Sequence, residues 1–299
     1  MLRLNQVRDF LTVLDSGSVR AAAARLGVSQ PAVTKSVRSL EAELGTELLH
    51  RSSRGIAPTA AGAAFAARAR VAQLELDRAR EEVRATRGDG GLSLNVGVGS
   101  APMVLVASEA IRRFRMDHPS CRMHVVEGPG QTLLPLVRDG VMDLALAQRV
   151  DPSAAPGLKY RAVLRTRLVV VGRRGHPLRH ARTLAELREA DWVVYRPPGS
   201  HGVLEDALRA EGLPFPDRFL HCESFALTVA MIRCSDLLGL LVPQALDGAG
   251  NGLLQEIPLK RPLAEISVGL YRRAESPASV AMNDFWNHVV DCARELRRG

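Results

Sequence analysis

Between residues 29 and 38 the chain reads SQPAVTKSVR, and its side chains carry two kinds of chemistry. Gln30 offers an amide that donates and accepts at once, which suits the edge of an adenine or another base, while Ala32 and Thr34 offer methyl groups suited to a thymine methyl. Ser29, Lys35 and Arg38 suit phosphate oxygens, contacts that fix position without reading sequence. Farther on, Arg51 and Arg54 bracket Ser52 and Ser53, where a guanidinium suits a phosphate or the minor groove.

A second set of polar residues gathers at strand-to-helix junctions in the last two thirds of the chain. These are Gly99, Ser100 and Ala101, then Gly130 and Gln131, then Gln148 and Arg149 at a strand end. Ser200 and His201, after Gly199, and Glu223, Ser224 and Phe225 complete it. Free N–H groups and the helix dipole make such junctions hospitable to a small anion, with Ser100 the first choice of ligand. Arg149 is the natural partner of a carboxylate, and an ion pair with Glu127 or Asp143 is an equal reading of it. Singly, each of these residues reads as well as a cap or loop residue; their convergence on one cleft is the argument.

Elements must hold these groups in place. Leu4, Val7, Phe10, Leu11 and Leu14 recur at helical steps and predict a first amphipathic helix ending near Ser16-Gly17. Ser18 caps a second, Ala-rich helix, VRAAAARL, which Gly27 stops. Ser29 caps a third, with Pro31 in its first turn, where a missing N–H costs little. Val33, Val37, Leu40 and Leu44 form its apolar stripe and Gly45 closes it. The strand ELLHR, the polar SSRG and the strand IAP read as a β-hairpin wing. Thr59 caps a long helix to about Arg87, whose few large apolar positions (Phe65, Val71, Leu74, Leu76, Val83) make a stripe too thin for a monomer core. That pattern predicts pairing with the same helix of a second chain. Gly88, Asp89, Gly90 and Gly91 mark a boundary.

Beyond it, strands alternate with helices, which predicts an α/β fold around a largely parallel sheet. The first set has strands LSLNVGV, RMHVVE and DLALAQ, with one helix ending near His118 and a second at TLLPLVRDG. The second has strands RLVVVG, DWVVYR, HCESF and LLGLLVP, with helices LAELREA, VLEDALRAEG and ALTVAMIRC. ISVGLYRR and a last helix, VAMNDFWNHVVDCARELRR, follow. Connections near 162–167 and 263–268 predict two lobes with a cleft between them.

Composition narrows the function classes. The 299 residues, 46% of them hydrophobic, exceed one usual domain and exclude a disordered chain. Lys and Arg outnumber Asp and Glu by 40 to 32, a net charge of +8 that suits a polyanionic partner. Residues 1–88 hold fourteen of the basic and nine of the acidic residues, so most of the excess lies in under a third of the chain. Cys121, Cys222, Cys234 and Cys292 are scattered without a CxxC pair, which predicts buried reduced thiols, and neither a zinc site nor a disulfide framework. A redox pair of Cys222 and Cys234 is the sharper alternative. The opening MLRLNQVRDF lacks an apolar signal region, and no apolar run approaches the ~18 residues of a membrane span, so the expected place is the cytoplasm, away from membranes.

With the helices, the wing and the long helix in order, the stretch AAAARLGVSQPAVTKSVRSLEAELGTELLHRSSRGIAPTAAG resembles the N-terminal domain of the LysR-type transcriptional regulators. The resemblance joins the AA..L..SQPA core, the L-E-x-E-L-G turn and the R-x-x-R-G-[IV]-x-x-T-x-x-G wing exit, and it runs through P-x-C-R-M-H-V, L-x-x-G-x-M-D-L-A-L and G-R-R-G-H-P-L to cover the chain. Two departures, Leu49-His50 where an aromatic usually follows Leu and Pro58 before the linker threonine, touch wing packing. The resemblance implies an α/β protein with an N-terminal winged helix-turn-helix, a long linker helix and a two-lobed, periplasmic-binding-protein-like effector domain. The expected bounds are 1–59 for the DNA-binding domain, with the helix-turn-helix at 19–38, 60–88 for the linker and dimerisation helix, and 91–299 for the effector domain. Its lobe 1 is expected at about 91–162 and 267–299, and lobe 2 at about 163–266.

The partners implied are double-stranded DNA, a small effector, further copies of the chain as a dimer of dimers, and RNA polymerase; no cofactor is expected. The segments LAEL, EGLPFP, CESF and SDLLGLLVP are similar to the branch that includes the regulator of p-toluenesulfonate degradation, which implies an aromatic carboxylate or sulfonate as effector. Two other classes stay in view: an α/β enzyme and a plain small-molecule-binding protein, neither with a DNA role. Against an enzyme, GVGSAP lacks the third glycine of GxGxxG, and no GxSxG, HExxH or Walker A string occurs. His118, His176 and His180 sit beside prolines or arginines and read as solvated.

Overall fold

The computed structural model describes residues 2–52, 55–86, 92–195, 199, 202–248, 250 and 252–298. They form two compact units, the first built on Met1–Gly91 and the second on Leu92–Arg138 and Met142–Gly299.

In the first unit, α1 (Leu4–Ser16), α2 (Val19–Leu26) and α3 (Gln30–Leu44) lead into the hairpin β1 (Leu49–Ser52) and β2 (Gly55–Pro58), then α4 (Ala60–Thr86). Local chemistry sets these ends. Ser18 Oγ accepts from the Ala21 amide at 3.1 Å, and Gly17, Gly27 and Gly45 stop successive helices with left-handed backbones. Phe10, Val33, Val37, Leu40 and Leu48 form the core, and Ala66 and Ala69 add the first turns of α4 to it. Phe65 meets Phe10 edge-on at 5.6 Å. Gly62 allows α4 to cross the wing closely, since a Cβ there would run into the Leu48 carbonyl. Farther along, Val71 and Leu76 are half-buried and Val83 is 56% exposed.

The second unit opens with β3 (Ser93–Val98) and a helical run of α5 (Ser100–Pro102), a π turn (Met103–Ala107) and α6 (Ser108–Asp117). Next come β4 (Arg122–Glu127), α7 (Gly130–Arg138), β5 (Leu144–Gln148), β6 (Leu158–Arg167) and β7 (Val169–Arg173). Then follow β8 (Trp192–Val194), α8 (Val203–Ala210), β9 (Phe219–His221), α9 (Phe225–Cys234) and β10 (Gly239–Leu241). The chain ends with α10 (Gln244–Asp247), β11 (Leu254–Glu256), β12 (Glu265–Arg273) and α11 (Val280–Leu296).

One lobe carries the sheet β4-β3-β5-β12-β6, and the other carries β10-β7-β11 together with β8-β9. The expected largely parallel sheet is instead mixed. β3 is parallel to β4 and β5, while β12 returns antiparallel to both β5 and β6, and β7 is antiparallel to both its neighbours. β12 brings the chain back from the second lobe, and a bulge at Val268/Gly269 lets the Gly269 backbone pass the Tyr160 ring. Three local readings also change. LAELREA forms only a 3-10 turn at Ala185–Leu187, the strand expected through HCESF ends at His221 so that Ser224 caps α9, and the connections expected near 162–167 and 263–268 are strands, the end of β6 and the start of β12. His176 is buried rather than solvated: its Nδ1 accepts from the Leu178 amide at 3.0 Å, and its Nε2 lies 3.1 Å from the Asp236 carbonyl.

Candidate nucleic-acid interface and ligand cleft

Helical spacing divides α3 into a buried and an open face. Val33, Val37 and Leu40 are buried, whereas Gln30, Pro31, Ala32, Lys35 and Arg38 are exposed and Thr34 is half-buried. With Ser39 and Ala42, most of them line one shallow concavity. Ser29 Oγ accepts from the Ala32 amide at 3.4 Å and starts the helix.

Two carboxylates anchor this helix. The nearly buried Asp9 on α1 accepts from Ser36 Oγ at 2.7 Å and from the Arg8 guanidinium at 3.1 Å. Toward the other end, Glu41 Oε1 accepts from the Leu48 and Leu49 amides at 2.9 and 3.2 Å and ties α3 to the wing. Thr59 completes the frame, its Oγ1 accepting from the Gly62 amide at 2.9 Å and donating to the Glu47 carbonyl at 2.8 Å. Sequence reasoning did not single out Asp9, Ser36 or Glu41. Asp9 and Ser36 meet across 27 residues, which no local pattern reports, whereas Glu41 lies in the L-E-x-E-L-G string that carried the resemblance. In the wing, Arg51 pairs with Ile56 in the ladder; its side chain and the whole of Arg54 lie outside the described residues.

In the second unit the Gly99 amide donates to the Leu146 carbonyl at 2.8 Å, which sets Ser100 beside the end of β5. Ser100, Ala101 and Gln148 from one lobe and Trp192, Val193, Glu205, Phe215 and Thr228 from the other line a cavity of about 120 Å³. Of the expected ligand residues, the structure brings these three together there. Gln131 is exposed on α7 and does not line the cavity. The Arg149 guanidinium lies 5.7 Å from the centroid of the Tyr160 ring, and no ion pair joins it to Glu127 or Asp143: Asp143 accepts from the Asn95 amide at 2.6 Å, and Glu127 accepts from the Phe225 amide at 2.8 Å.

That last bond changes the reading of residues 223–225. The start of α9 is satisfied by the protein's own Glu127 carboxylate and by Ser224, whose Oγ accepts from the Leu227 amide at 3.3 Å. Glu223 accepts from Thr132 Oγ1 at 3.5 Å and stands 3.8 Å from His221, and Phe225 is buried in the core. Ser200 and His201 lie outside the described residues, and Gly199 has a left-handed backbone. The wall residues Trp192, Glu205, Phe215 and Thr228 were not anticipated, because strand and helix patterns read them as ordinary core or surface positions.

Among the described residues, no group of three His, Cys, Asp or Glu could hold a metal ion, and no helix is long and apolar enough to cross a membrane. Residues 4–63 match the family of bacterial regulatory helix-turn-helix proteins of the lysR family, and residues 87–293 match the LysR substrate binding domain. The HTH-type transcriptional regulator GbpR of Azospirillum brasilense is 32% identical over 240 residues, spanning 79% of this chain and 70% of that one. In fold, full-length CbnR complexed with its target DNA superposes with a TM-score of 0.68 at 20% identity, over 97% of this chain and 100% of that one. ArgP from Mycobacterium tuberculosis gives 0.75 at 19% identity, over 98% of each chain.

Proposed function

The chain belongs to the LysR family of bacterial DNA-binding transcriptional regulators, and from this premise we propose which residues read DNA and where the effector acts. The family is one of regulators and not of enzymes. α3 enters the major groove: Gln30 reads a base edge, Ala32 and Thr34 lie against thymine methyls, Pro31 faces the DNA from the first turn, and Ser29, Lys35 and Arg38 set the helix against the phosphates. Arg51 and Arg54 extend the contact from the wing. The observation that carries this reading is the split of α3 into an apolar face packed on α1 and an open face bearing all the chemistry.

The domains proposed are 1–59 for DNA binding, 60–88 for pairing and 91–299 for the effector, with self-association through the thin stripe of α4 into a dimer and then a dimer of dimers. The protein acts in the cytoplasm, and changed DNA bending alters access for RNA polymerase. A small effector sits in the cleft of the second unit. Its anionic group lies at the start of the helical run at Ser100, supported by the backbone N–H groups of that junction. An aromatic carboxylate or sulfonate fits this description.

Fluorescence anisotropy on the chain's own upstream DNA tests the reading. Lys35→Ala weakens binding to specific and scrambled duplexes alike and lowers the slope of log affinity against log salt by about one. An unchanged salt slope removes Lys35, and with it this face of α3, from the interface.

A further inference from the structure

Trp192 opens β8 with only 1% of its surface exposed, and Thr228 lies one turn into α9 at 4%. Both line the cleft cavity, and neither Trp192 Nε1 nor Thr228 Oγ1 has a hydrogen-bond partner among the described residues. The pairing is conspicuous by its absence in Thr228, because a helical threonine commonly turns its hydroxyl back to the carbonyl one turn earlier. Here the Ser224 carbonyl accepts from the Thr228 amide at 2.9 Å and from Cys222 Sγ at 3.5 Å, and not from the Thr228 hydroxyl. Buried donors without partners are destabilising, and native folds keep few of them. An indole N–H donates and never accepts, so whatever satisfies Trp192 must present an acceptor.

The remaining wall says what else that occupant must be. Val193, Phe215, Leu240 and Ile266 are apolar, and Glu205 is the one charged residue among the described lining residues. Glu205 stands 3.5 Å from Arg209, a residue that does not line the cavity. An anion beside Glu205 meets a like charge and an apolar wall, whereas a neutral acceptor meets two waiting donors at Trp192 and Thr228. The volume of about 120 Å³ is close to the roughly 150 Å³ of a cavity that holds benzene.

We infer that the cavity is a subsite for the neutral end of the effector: an apolar ring or branched chain whose carbonyl or ether oxygens accept from Trp192 Nε1 and Thr228 Oγ1. This rests on the cleft being the effector site, and it adds the chemical class of the molecule. The effector is then amphipathic, with an anionic group at Ser100 and an uncharged acceptor at Trp192 and Thr228.

The test uses the full chain labelled with 5-fluorotryptophan, in which Trp192 and Trp286 give two fluorine resonances assigned by Trp286→Phe. The probes are 4-acetylbenzoate, terephthalate, which puts a carboxylate in place of the acetyl group, and acetophenone, which lacks the anionic head. The Trp192 resonance is expected to shift saturably with 4-acetylbenzoate, at about tenfold lower concentration than with terephthalate. Thr228→Val weakens the response about three- to tenfold, the loss of one neutral hydrogen bond without a change of shape. Terephthalate binding as well as or better than 4-acetylbenzoate overturns the subsite, as does an unmoved Trp192 resonance with both acetyl probes or a Thr228→Val protein that responds like wild type. If acetophenone alone shifts Trp192, the subsite stands and the anion at Ser100 falls. Promoter binding is measured separately on the same protein, so failure of the regulator reading stays distinguishable.

Discussion

Ser36 touches no proposed DNA group, yet its hydroxyl is what aims α3. It donates at 2.7 Å to Asp9, a carboxylate held at 8% exposure with the Arg8 guanidinium 3.1 Å away. Removing that donor leaves a nearly buried charge short of a partner, so Ser36→Ala is expected to cost about 1.5–3 kcal/mol of stability, read from chemical unfolding of the purified chain. It should weaken promoter DNA with the salt slope intact, because no phosphate contact is lost, which separates it from Lys35→Ala. The capping residues were legible in the sequence, since Ser18, Ser29 and Thr59 act on amides three residues away. Asp9 with Ser36, Glu127 at the start of α9, and the unpaired Trp192 and Thr228 were not, because each depends on chain segments that only the fold brings together. For the same reason the junction rule placed Ser100 and Gln148 on the cavity wall but also nominated Ser224, whose hydroxyl caps its own helix. At the cleft, Ser100→Ala should abolish or shift the inducer response of promoter binding while leaving the affinity without inducer unchanged. A response equal to wild type would move the anion elsewhere.

Periodic elements were read well and irregular ones poorly. α1, α2 and α3 announce themselves through apolar spacing and glycine stops, and β5 through an unbroken apolar run. β6 is the edge strand of its sheet, paired only with β12, with only Val163 and Leu164 of its ten residues buried, and so it passed for a connection. α9 also bears on the thiols, of which Cys121, Cys222 and Cys292 are buried as expected and Cys234, at the helix end, is exposed. Its ten residues, at 1.5 Å each, separate Cys222 before it from Cys234 at its end by about 15 Å, whereas a disulfide needs Cα atoms within roughly 7 Å. Burial pushes the Cys121 and Cys292 thiols up, which keeps them protonated and slow to oxidise. Diamide treatment of the folded chain followed by peptide mass spectrometry should therefore yield no Cys222–Cys234 bridge; finding one would mean that α9 unwinds. At the wing, Gly62→Ala forces α4 off the Leu48 carbonyl. Its thermal midpoint should fall well below that of Ala61→Gly, which changes helix propensity by only about 1 kcal/mol on an exposed position.

At the scale of the whole molecule, the regulator reading requires the effector unit and the DNA-binding unit to be thermodynamically linked. An effector that changes promoter affinity by some factor must have its own affinity changed by the same factor when promoter DNA is present. In the pairing proposed above, the thin stripe of α4, with Val71 and Leu76 half-buried and Val83 largely exposed, would give the second chain its place in that linkage and two reading helices their paired half-sites. All of this depends on α3 reading bases. Selection from a randomised duplex library by the wild-type chain and by Gln30→Ala measures that directly. The wild type should enrich an inverted repeat, and Gln30→Ala should lose preference at one symmetric pair of positions, a penalty of about 1–3 kcal/mol per contact, while keeping the rest of the motif. The same motif at the same strength from both proteins, or no motif from either, would contradict the account.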